Sequence, residues 1–374
     1  MRIAIVGAAA ATAAAVTARS LCRRLATKAA AGPLVMDPAA FWPSSVDAET
    51  AAATQATLEA EAQQSTADLT PYECRERRFK QYMALHVETL GEGKPARRAD
   101  RTVSHRSSPT PVNISVFTPS PPAPPRGVYV HMHGGSWLLG GAAWQNDIRL
   151  LKLCDTLQIA VVSIDYRLAP EHKWPAPLDD CVAAAAWCAE QCMTEFGTSK
   201  LIIGGESAGG HLCAMTMLHL RRVLDLAPTE PLPYSAANLV YGAYDLSGTP
   251  SMRSYHKRNV FCWHDLQVAL DVLLPPGTDR ASPDVSPLHA PAEAFCSFPP
   301  ALFSCGTDDA LIDDTLFMAT KWAQHAGCDA HVELALHPGG AHGVGHFGPH
   351  AHTALGKAAH RRIEEWMDAR LREN

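Results

Sequence analysis

Short apolar runs alternate with longer amphipathic segments through the last two thirds of the chain. A run such as Ile159 to Asp165 is apolar throughout, as expected of a strand buried on both faces of a parallel sheet. The strand-like segments are 112–117, 128–133, 159–165, 201–204, 238–241, 301–305 and 331–336, and the helical ones are 178–191, 208–223, 311–326 and 355–371. This alternation predicts an α/β fold with a mostly parallel central sheet covered by helices on both faces.

Two further parts of the chain depart from this alternation. Residues 37–100 have a helical pattern, with Asp47 to Gln64 rich in good helix formers and Pro71 to Leu90 as a second candidate helix. Residues 101–374 form the predicted α/β domain, and Leu246 to Pro300, rich in Pro, His and Trp, interrupts it as an insertion over one end of the sheet.

Residues 1–36 form an Ala-rich leader that lies outside the predicted fold. Residues 1–32 contain thirteen alanines and no acidic residue, and an apolar stretch from Ile3 to Ala18 precedes most of the arginines. This pattern is compatible with an organelle transit peptide, a weak signal anchor giving some membrane association, or an extension without any address. Without an address the chain would be cytoplasmic.

Composition and charge exclude several classes of protein. The chain has 374 residues, of which 47% are hydrophobic and 19% charged, so it is not a disordered, collagenous or coiled-coil protein. The net charge is 32 − 38 = −6, which gives no basic surplus for nucleic-acid binding. The eleven cysteines have no repeating spacing, and in a chain of this length they are expected to be reduced, mostly buried thiols. The oligomeric state is left open.

The strongest chemical signal is a glycine-flanked serine between a strand and a helix. Gly205-Glu206-Ser207-Ala208-Gly209 follows the strand 201–204 and precedes the helix 208–223. This G-x-S-x-G pattern is typical of a nucleophile elbow, in which small neighbours let the backbone turn tightly and present the serine hydroxyl. The alternative, an ordinary turn serine, is less consistent with this context.

A second motif, His131-Met132-His133-Gly134-Gly135-Ser136-Trp137, ends the strand 128–133. Glycines at this point allow backbone N–H groups to converge on an anion, as in an oxyanion hole. The alternative is a metal site with His131 and His133 as ligands, but no third ligand follows at a recognisable spacing. We therefore expect His133 to fix the loop by hydrogen bonding.

These motifs, with the Asp165-Tyr166-Arg167-Leu168-Ala169-Pro170-Glu171 block between them, resemble the hormone-sensitive-lipase-like carboxylesterases of the α/β-hydrolase superfamily. The resemblance covers roughly 112–371. Ser136 replaces the last glycine of the family's HGGG motif, and Glu206 replaces the usual aspartate before the nucleophile. The resemblance implies an α/β-hydrolase fold, with a catalytic domain over residues 101–374 and a helical cap formed by residues 37–100 and the insertion at about 246–300. It also implies that the Asp165–Glu171 block buttresses the catalytic loop.

The resemblance also implies a triad in the chain order Ser, Asp, His. Asp309-Ala310-Leu311 occupies the position of the acid, with Asp308, Asp313 and Asp314 as rivals. His342-Gly343-Val344 occupies the position of the base, with His337 and His346 as rivals.

Together these residues predict an esterase that needs neither a metal nor an organic cofactor. His342 would take the proton of Ser207, Asp309 would orient the imidazole, and the oxyanion would be held by backbone N–H groups. The candidate donors are Gly134, Gly135, Ser136 and Ala208. The expected partner is a small acyl or aryl ester, held under cap residues such as Phe41, Trp42, Phe261, Trp263 and Leu266. These apolar residues could equally serve only to attach the cap.

The alternatives are an amidase-type deacetylase or formamidase with the same triad, a small-molecule receptor on the same fold, and an interaction protein that has kept the elbow. Receptors of this family lack the catalytic histidine, so the presence of His342 argues against that class. A complete set of Ser, Asp and His in the expected order argues against an interaction protein.

Overall fold

A computed structural model describes residues 34–62, 97–120, 124–141, 147–227, 230–257, 262–326, 331–346 and 350–373. The leader, except for residues 34–36, and the candidate helix from Pro71 to Leu90 lie outside these residues. Within the described residues, no helix combines the length and the apolar composition that crossing a bilayer requires.

An eight-stranded sheet forms the centre of the molecule. Its strands are β1 (Arg98–Val103), β2 (Val112–Phe117), β3 (Val128–Met132), β4 (Ala160–Asp165), β5 (Leu201–Glu206), β6 (Ala236–Val240), β7 (Ala301–Gly306) and β8 (Val332–His337). They are ordered β1-β2-β4-β3-β5-β6-β7-β8. The pairs β1–β2 and β2–β4 are antiparallel and all the others are parallel. The predicted fold class is therefore confirmed.

Helices cover both faces of this sheet. They are α1 (Ala48–Ala62), α2 (Asp147–Leu157), α3 (Ala176–Phe196), α4 (Ala208–Val223), α5 (Pro250–Ser254), α6 (Trp263–Leu273), α7 (Ile312–His325) and α8 (Ala354–Arg372). The large hydrophobic cluster includes Val130, Leu212 and Trp322, whereas a second cluster includes Tyr129, Ile202 and Trp366. Because side chains alternate along a strand, β3 and β5 contribute to both clusters.

Two elements were not predicted. The strand β1 begins at Arg98, inside the segment expected to be helical, and the helix α2 lies where no element was expected. The sequence of β1, Arg-Ala-Asp-Arg-Thr-Val, is polar because the strand lies at the sheet edge and most of its side chains are partly or fully exposed. Its apolar content is too small to produce a strand signal.

The segment between β6 and β7 is helical in part and attaches to the sheet through its apolar residues. Leu266 on α6 is buried and Trp263 packs against the same core, so these two predicted cap residues attach the insertion. Phe41 and Trp42 near the amino terminus are 41% and 59% exposed, and Phe261 lies outside the described residues.

Most of the described cysteines are free thiols in buried positions: Cys154, Cys181, Cys188, Cys192, Cys213, Cys262 and Cys305. Burial raises the pKa of the Cys213 and Cys181 thiols, which favours their protonated form. Cys296 is disulfide-bonded, so the expectation of reduced thiols is wrong at this position.

Candidate active site

Ser207 lies on a sharp turn between β5 and α4, at the carboxyl end of the sheet. Its φ of 56° and ψ of −120° place it in a conformation that non-glycine residues rarely adopt. A Cβ atom on Gly205 would lie 2.3 Å, and one on Gly209 1.9 Å, from the carbonyl oxygen of Met132. Both positions therefore require glycine, because the turn presses directly against the end of β3.

The structure brings Ser207, His342 and Asp309 into one hydrogen-bonded chain. The hydroxyl oxygen of Ser207 lies 2.9 Å from Nε2 of His342. Nδ1 of His342 lies 3.0 Å from Oδ2 and 3.1 Å from Oδ1 of Asp309. The Asp309 and His342 residues are 2% and 5% exposed, and Ser207 is 9% exposed, so the hydroxyl is the member most open to the outside.

The rival carboxylates have other partners. Asp308 accepts a hydrogen bond from Nζ of Lys257 at 2.9 Å, and Asp313 accepts one from the backbone N–H of Ser251 at 2.7 Å. Asp314 is fully buried and accepts from the Thr249 hydroxyl at 2.6 Å. These contacts attach the insertion between β6 and β7 to the loop that carries Asp309.

The rival histidines also have other surroundings. Nε2 of His337 lies 2.9 Å from the Ser304 hydroxyl, and burial lowers the pKa of His337 to about 4. The ring of His346 packs edge-on against Tyr241, which also contacts the ring of His342. The structure thus places His342, and neither rival, against the serine.

The predicted oxyanion loop has an unusual backbone. Gly135, Ser136 and Trp137 have φ angles of 121°, 54° and 58°. A Cβ atom on Gly135 would lie 2.3 Å from the Leu139 carbonyl oxygen, so only glycine fits there. Ala208 is the first residue of α4, where backbone N–H groups have no acceptor within the helix. The N–H groups of Gly135, Ser136 and Ala208 are therefore the candidate donors.

Gly134 does not join this set. Its N–H donates to Oε1 of Glu206 at 3.1 Å, so it is already used. The prediction of Gly134 as an oxyanion donor is corrected on this ground, because the Glu206 carboxylate already accepts the hydrogen bond of this N–H group.

His133 holds the loop by hydrogen bonding, as expected. Its Nδ1 lies 2.7 Å from the Gly134 carbonyl oxygen, to which it donates, and its ring stacks on Tyr166 at 4.2 Å. The Tyr166 hydroxyl donates to the His133 carbonyl oxygen at 2.7 Å. The next residue of the block, Arg167, is fixed by the buried carboxylate of Asp180 at 2.8 Å. The Asp165–Glu171 block thus supports the oxyanion loop through the contacts of Tyr166 with His133.

His131 has hydrogen-bond partners other than those of His133. Its Nδ1 lies 2.8 Å from the Ser163 hydroxyl and its Nε2 lies 2.9 Å from Oε2 of Glu206. Among the residues that the structure describes, no three His, Cys, Asp or Glu side chains are grouped as a metal site would require.

Two residues near the site were missed by sequence reasoning. His211, one turn into α4, accepts from the Trp137 indole N–H at 3.2 Å, and its Nε2 donates to the Val285 carbonyl oxygen at 2.8 Å. Burial lowers the pKa of His211 to about 4, which keeps it neutral. Arg149, on the unpredicted α2, reaches Glu206 at 3.1 Å. Arg149 belongs to no motif in the sequence, so its contact with Glu206 becomes visible only in the folded structure.

The sheet order, the strand–turn–helix nucleophile and the facing histidine loop define a class, the α/β hydrolases. Residues 129–346 match the model of a family described as alpha/beta hydrolase fold, which is more than half of the chain. The chain belongs to this family, in its hormone-sensitive-lipase-like esterase branch.

Named relatives agree with this assignment. Carboxylesterase NlhH of Mycobacterium tuberculosis is 32% identical over 264 residues, which are 69% of this chain and 79% of that protein. Carboxylic ester hydrolase LipN of the same organism is 34% identical over 196 residues, or 50% of this chain and 49% of LipN. A hyperthermophilic esterase from Pyrobaculum calidifontis has a similar structure, with a TM-score of 0.70 and 27% identity. The similarity covers 84% of this chain and 96% of that chain.

Proposed function

We propose that this protein hydrolyses carboxylic esters through Ser207, His342 and Asp309, by way of an acyl-enzyme. The observation that supports this most is the continuous hydrogen-bonded chain from the serine hydroxyl through the imidazole to the buried carboxylate. A second chain of the same chemical type, Ser163–His131–Glu206, is buried inside the sheet, with Ser163 and His131 both 0% exposed, so a substrate has no access to its hydroxyl.

The proposed reaction begins with the Ser207 hydroxyl, which is a poor nucleophile until a base removes its proton. Nε2 of His342 accepts that proton as the oxygen attacks the ester carbonyl, and returns it to the leaving alcohol. Asp309 holds Nδ1–H of the imidazole and stabilises the imidazolium that forms. Water then repeats the same steps on the acyl-enzyme, with His342 again as the base.

The negative charge of each tetrahedral intermediate needs fixed donors. The N–H groups of Gly135, Ser136 and Ala208 are proposed for this role. Ala208 directly follows Ser207 at the start of α4, Gly135 and Ser136 follow a glycine that lies close to Ser207, and the N–H of that glycine, Gly134, is already bonded to Glu206. Such donors are already oriented before the reaction, so they stabilise developing charge without reorganisation.

We propose an ester rather than an amide as the substrate because the named relatives are a carboxylesterase and a carboxylic ester hydrolase. The amidase-type alternative has no observation of its own in its favour. Comparing turnover of a p-nitrophenyl ester with that of the corresponding anilide tests the choice, and a faster anilide would reverse it.

The nucleophile is tested by turnover of a short p-nitrophenyl ester by the wild type and by Ser207→Ala. We expect a loss of at least about 10³-fold in kcat, because the triad acts as a unit. Ser254→Ala, which removes an exposed hydroxyl on α5, is the matched control and should keep full activity. A fluorophosphonate probe should modify the peptide that contains Ser207 and no other. Full activity of Ser207→Ala would refute the proposal.

A further inference from the structure

A buried ionic group lies directly behind the proposed nucleophile. The Glu206 side chain is 3% exposed, yet Nη2 of Arg149 lies 3.1 Å from its Oε2, and the Arg149 side chain is itself only 13% exposed. A carboxylate in such a place is stable only when it is paired and hydrogen-bonded. Burial alone would raise the pKa of Glu206, but its interactions with His131 and Arg149 outweigh this and hold the pKa well below its usual range.

The positive charge of this group comes from Arg149 rather than from His131. Burial lowers the pKa of His131, which favours its neutral form. Arginine remains charged in proteins. Glu206 is therefore an anion paired with the Arg149 guanidinium.

The other oxygen of the same carboxylate holds the oxyanion loop. Oε1 of Glu206 accepts the Gly134 N–H at 3.1 Å. Gly134 lies close to the nucleophile, because a Cβ atom built on it would be 3.3 Å from Cβ of Ser207. A hydrogen bond to an ionised acceptor is roughly twice as strong as one between neutral groups.

The loop needs such a restraint. Three consecutive residues after Gly134 have positive φ angles, and two of them, Ser136 and Trp137, are not glycine. A backbone of this kind persists only where its surroundings force it. Movement of Gly134 would also displace Gly135 and Ser136, whose N–H groups are proposed as oxyanion donors.

We propose that Glu206, held ionised by Arg149, is a positioning residue that fixes the oxyanion loop through Gly134. This inference rests on the proposed function. It predicts that the charge of Glu206, and not only its size, sets the stabilisation of the tetrahedral intermediate. Glu206 touches no reacting atom and acts through Gly134.

The test uses the full chain and the variants Glu206→Gln and Arg149→Met. Glu206→Gln keeps an acceptor for Gly134 but removes the charge, and Arg149→Met leaves the carboxylate without its counter-ion. For each variant we expect kcat to fall about 10- to 100-fold with KM nearly unchanged, the range that loss of a charge-assisted hydrogen bond gives. Arg149→Lys should restore part of the loss.

Binding of an aryl trifluoromethyl ketone separates positioning from a general structural effect. This inhibitor forms a tetrahedral oxyanion on the nucleophilic serine, so its dissociation constant should rise in proportion to the fall in kcat/KM. The double variant should be little worse than either single one, because both changes act on one contact. Glu190→Gln, which removes a carboxylate paired with Arg106 at the surface, is the matched control and should change neither quantity.

The possible failures are distinct. An inactive wild type, or an active Ser207→Ala, would refute the proposed function itself. If the wild type is active but Glu206→Gln keeps its kcat and its inhibitor affinity, the positioning role is refuted. A loss confined to KM, or one explained by a fall in the thermal unfolding midpoint, would refute it as well.

Discussion

Ser136 occupies the position of the last glycine in the HGGG motif of the resembling esterases. Its φ of 54° lies in the left-handed region, where a side chain costs about 1–2 kcal/mol and glycine costs little. We expect Ser136→Gly to raise the free energy of unfolding by up to about 1 kcal/mol and to leave kcat unchanged, because the N–H donor remains. Urea unfolding and ester kinetics check the two expectations.

Asp225→Gly is the matched control for this change. Asp225 has a φ of 55° on the surface, and its side chain is 84% exposed. A similar gain in stability there would show that relief of backbone strain is the cause. A clear fall in kcat for Ser136→Gly alone would mean that the Ser136 side chain takes part in the reaction.

At the scale of residues, local motifs were enough to propose the site, because its backbone requirements are local. Gly205 and Gly209 are needed wherever a strand turns sharply into a helix, so the elbow is visible in five consecutive letters. The partners of Glu206 are not visible in this way. Arg149 and Gly134 lie far from Glu206 along the chain, and only the fold brings them together.

At the scale of elements, the buried carboxylate of Asp314 links α7 to the segment between β6 and β7. Asp314, in the first turn of α7, accepts hydrogen bonds from the backbone N–H of Tyr244 at 2.6 Å and from the Thr249 hydroxyl at 2.6 Å. Burial nevertheless raises the pKa of Asp314 to about 7. A carboxyl group whose pKa is higher in the folded state binds more protons when folded, so stability falls as pH rises.

Asp314→Asn tests this directly, because an amide has a similar shape and no titration. Between about pH 4 and pH 7, the free energy of unfolding of the wild type should fall relative to the variant by up to about 1.4 kcal/mol per pH unit. Buried histidines such as His211 titrate with the opposite sign, but they are common to both proteins and cancel in the difference. Urea unfolding across this pH range provides the measurement. Parallel curves for the two proteins would contradict the prediction.

The amino-terminal segment contacts the loop that carries His342. Gly339 has a φ of 69°, and a Cβ atom on it would lie 2.6 Å from Cγ1 of Val46 and 3.3 Å from Cγ2 of Thr50 on α1. We expect Gly339→Ala to lower stability by about 2–3 kcal/mol and to lower kcat, because the loop must move to relieve both the strain and the clash. Thermal unfolding and ester kinetics measure the two effects.

Gly277→Ala is the matched control that separates the effect of backbone strain from that of the steric clash at Gly339. Gly277 has a φ of 82°, but a Cβ atom there would meet nothing within 4 Å. This variant should lose only about 1 kcal/mol and keep its kcat, since backbone strain alone is involved. Equal losses at both positions would show that the packing of the amino-terminal segment on the loop has no influence on the site.

Most of the predicted helices and strands have apolar residues at a regular spacing. The predicted segment Ala208–Val223 coincides with α4, and Val112–Phe117 coincides with β2, because burial gives both a regular apolar pattern. The edge strand β1 is largely polar, so its pattern did not stand out. The helix α2 is amphipathic, with buried leucines at positions 150, 153 and 157, so the sequence carries a helical signal there that the prediction omitted. Their placement depends on the register with β2 and on the face of the sheet they cover, which are tertiary properties.

For the whole molecule, the proposed site is built from parts spread over most of the catalytic domain. The oxyanion loop follows β3, the nucleophile follows β5, and the acid and the base follow β7 and β8. Parallel strands bring their carboxyl ends to one edge, so four distant loops meet there. The strand order brings these four loops together. The proposal of one site from four distant motifs therefore depended on the prediction of a parallel sheet.

None of the proposed catalytic residues lies in the leader. Leu34, the first described residue, packs against the hydrophobic core, and the proposed catalytic groups all lie after residue 130. We therefore expect a chain that lacks residues 2–33 to keep its kcat/KM on a short ester while changing its distribution in fractionated cells. Loss of an organelle or membrane fraction would identify the leader as an address, and an unchanged distribution would identify it as an extension without one. A loss of kcat/KM of about tenfold or more, equivalent to about 1.4 kcal/mol of transition-state stabilisation, would instead show that the leader contributes to the site.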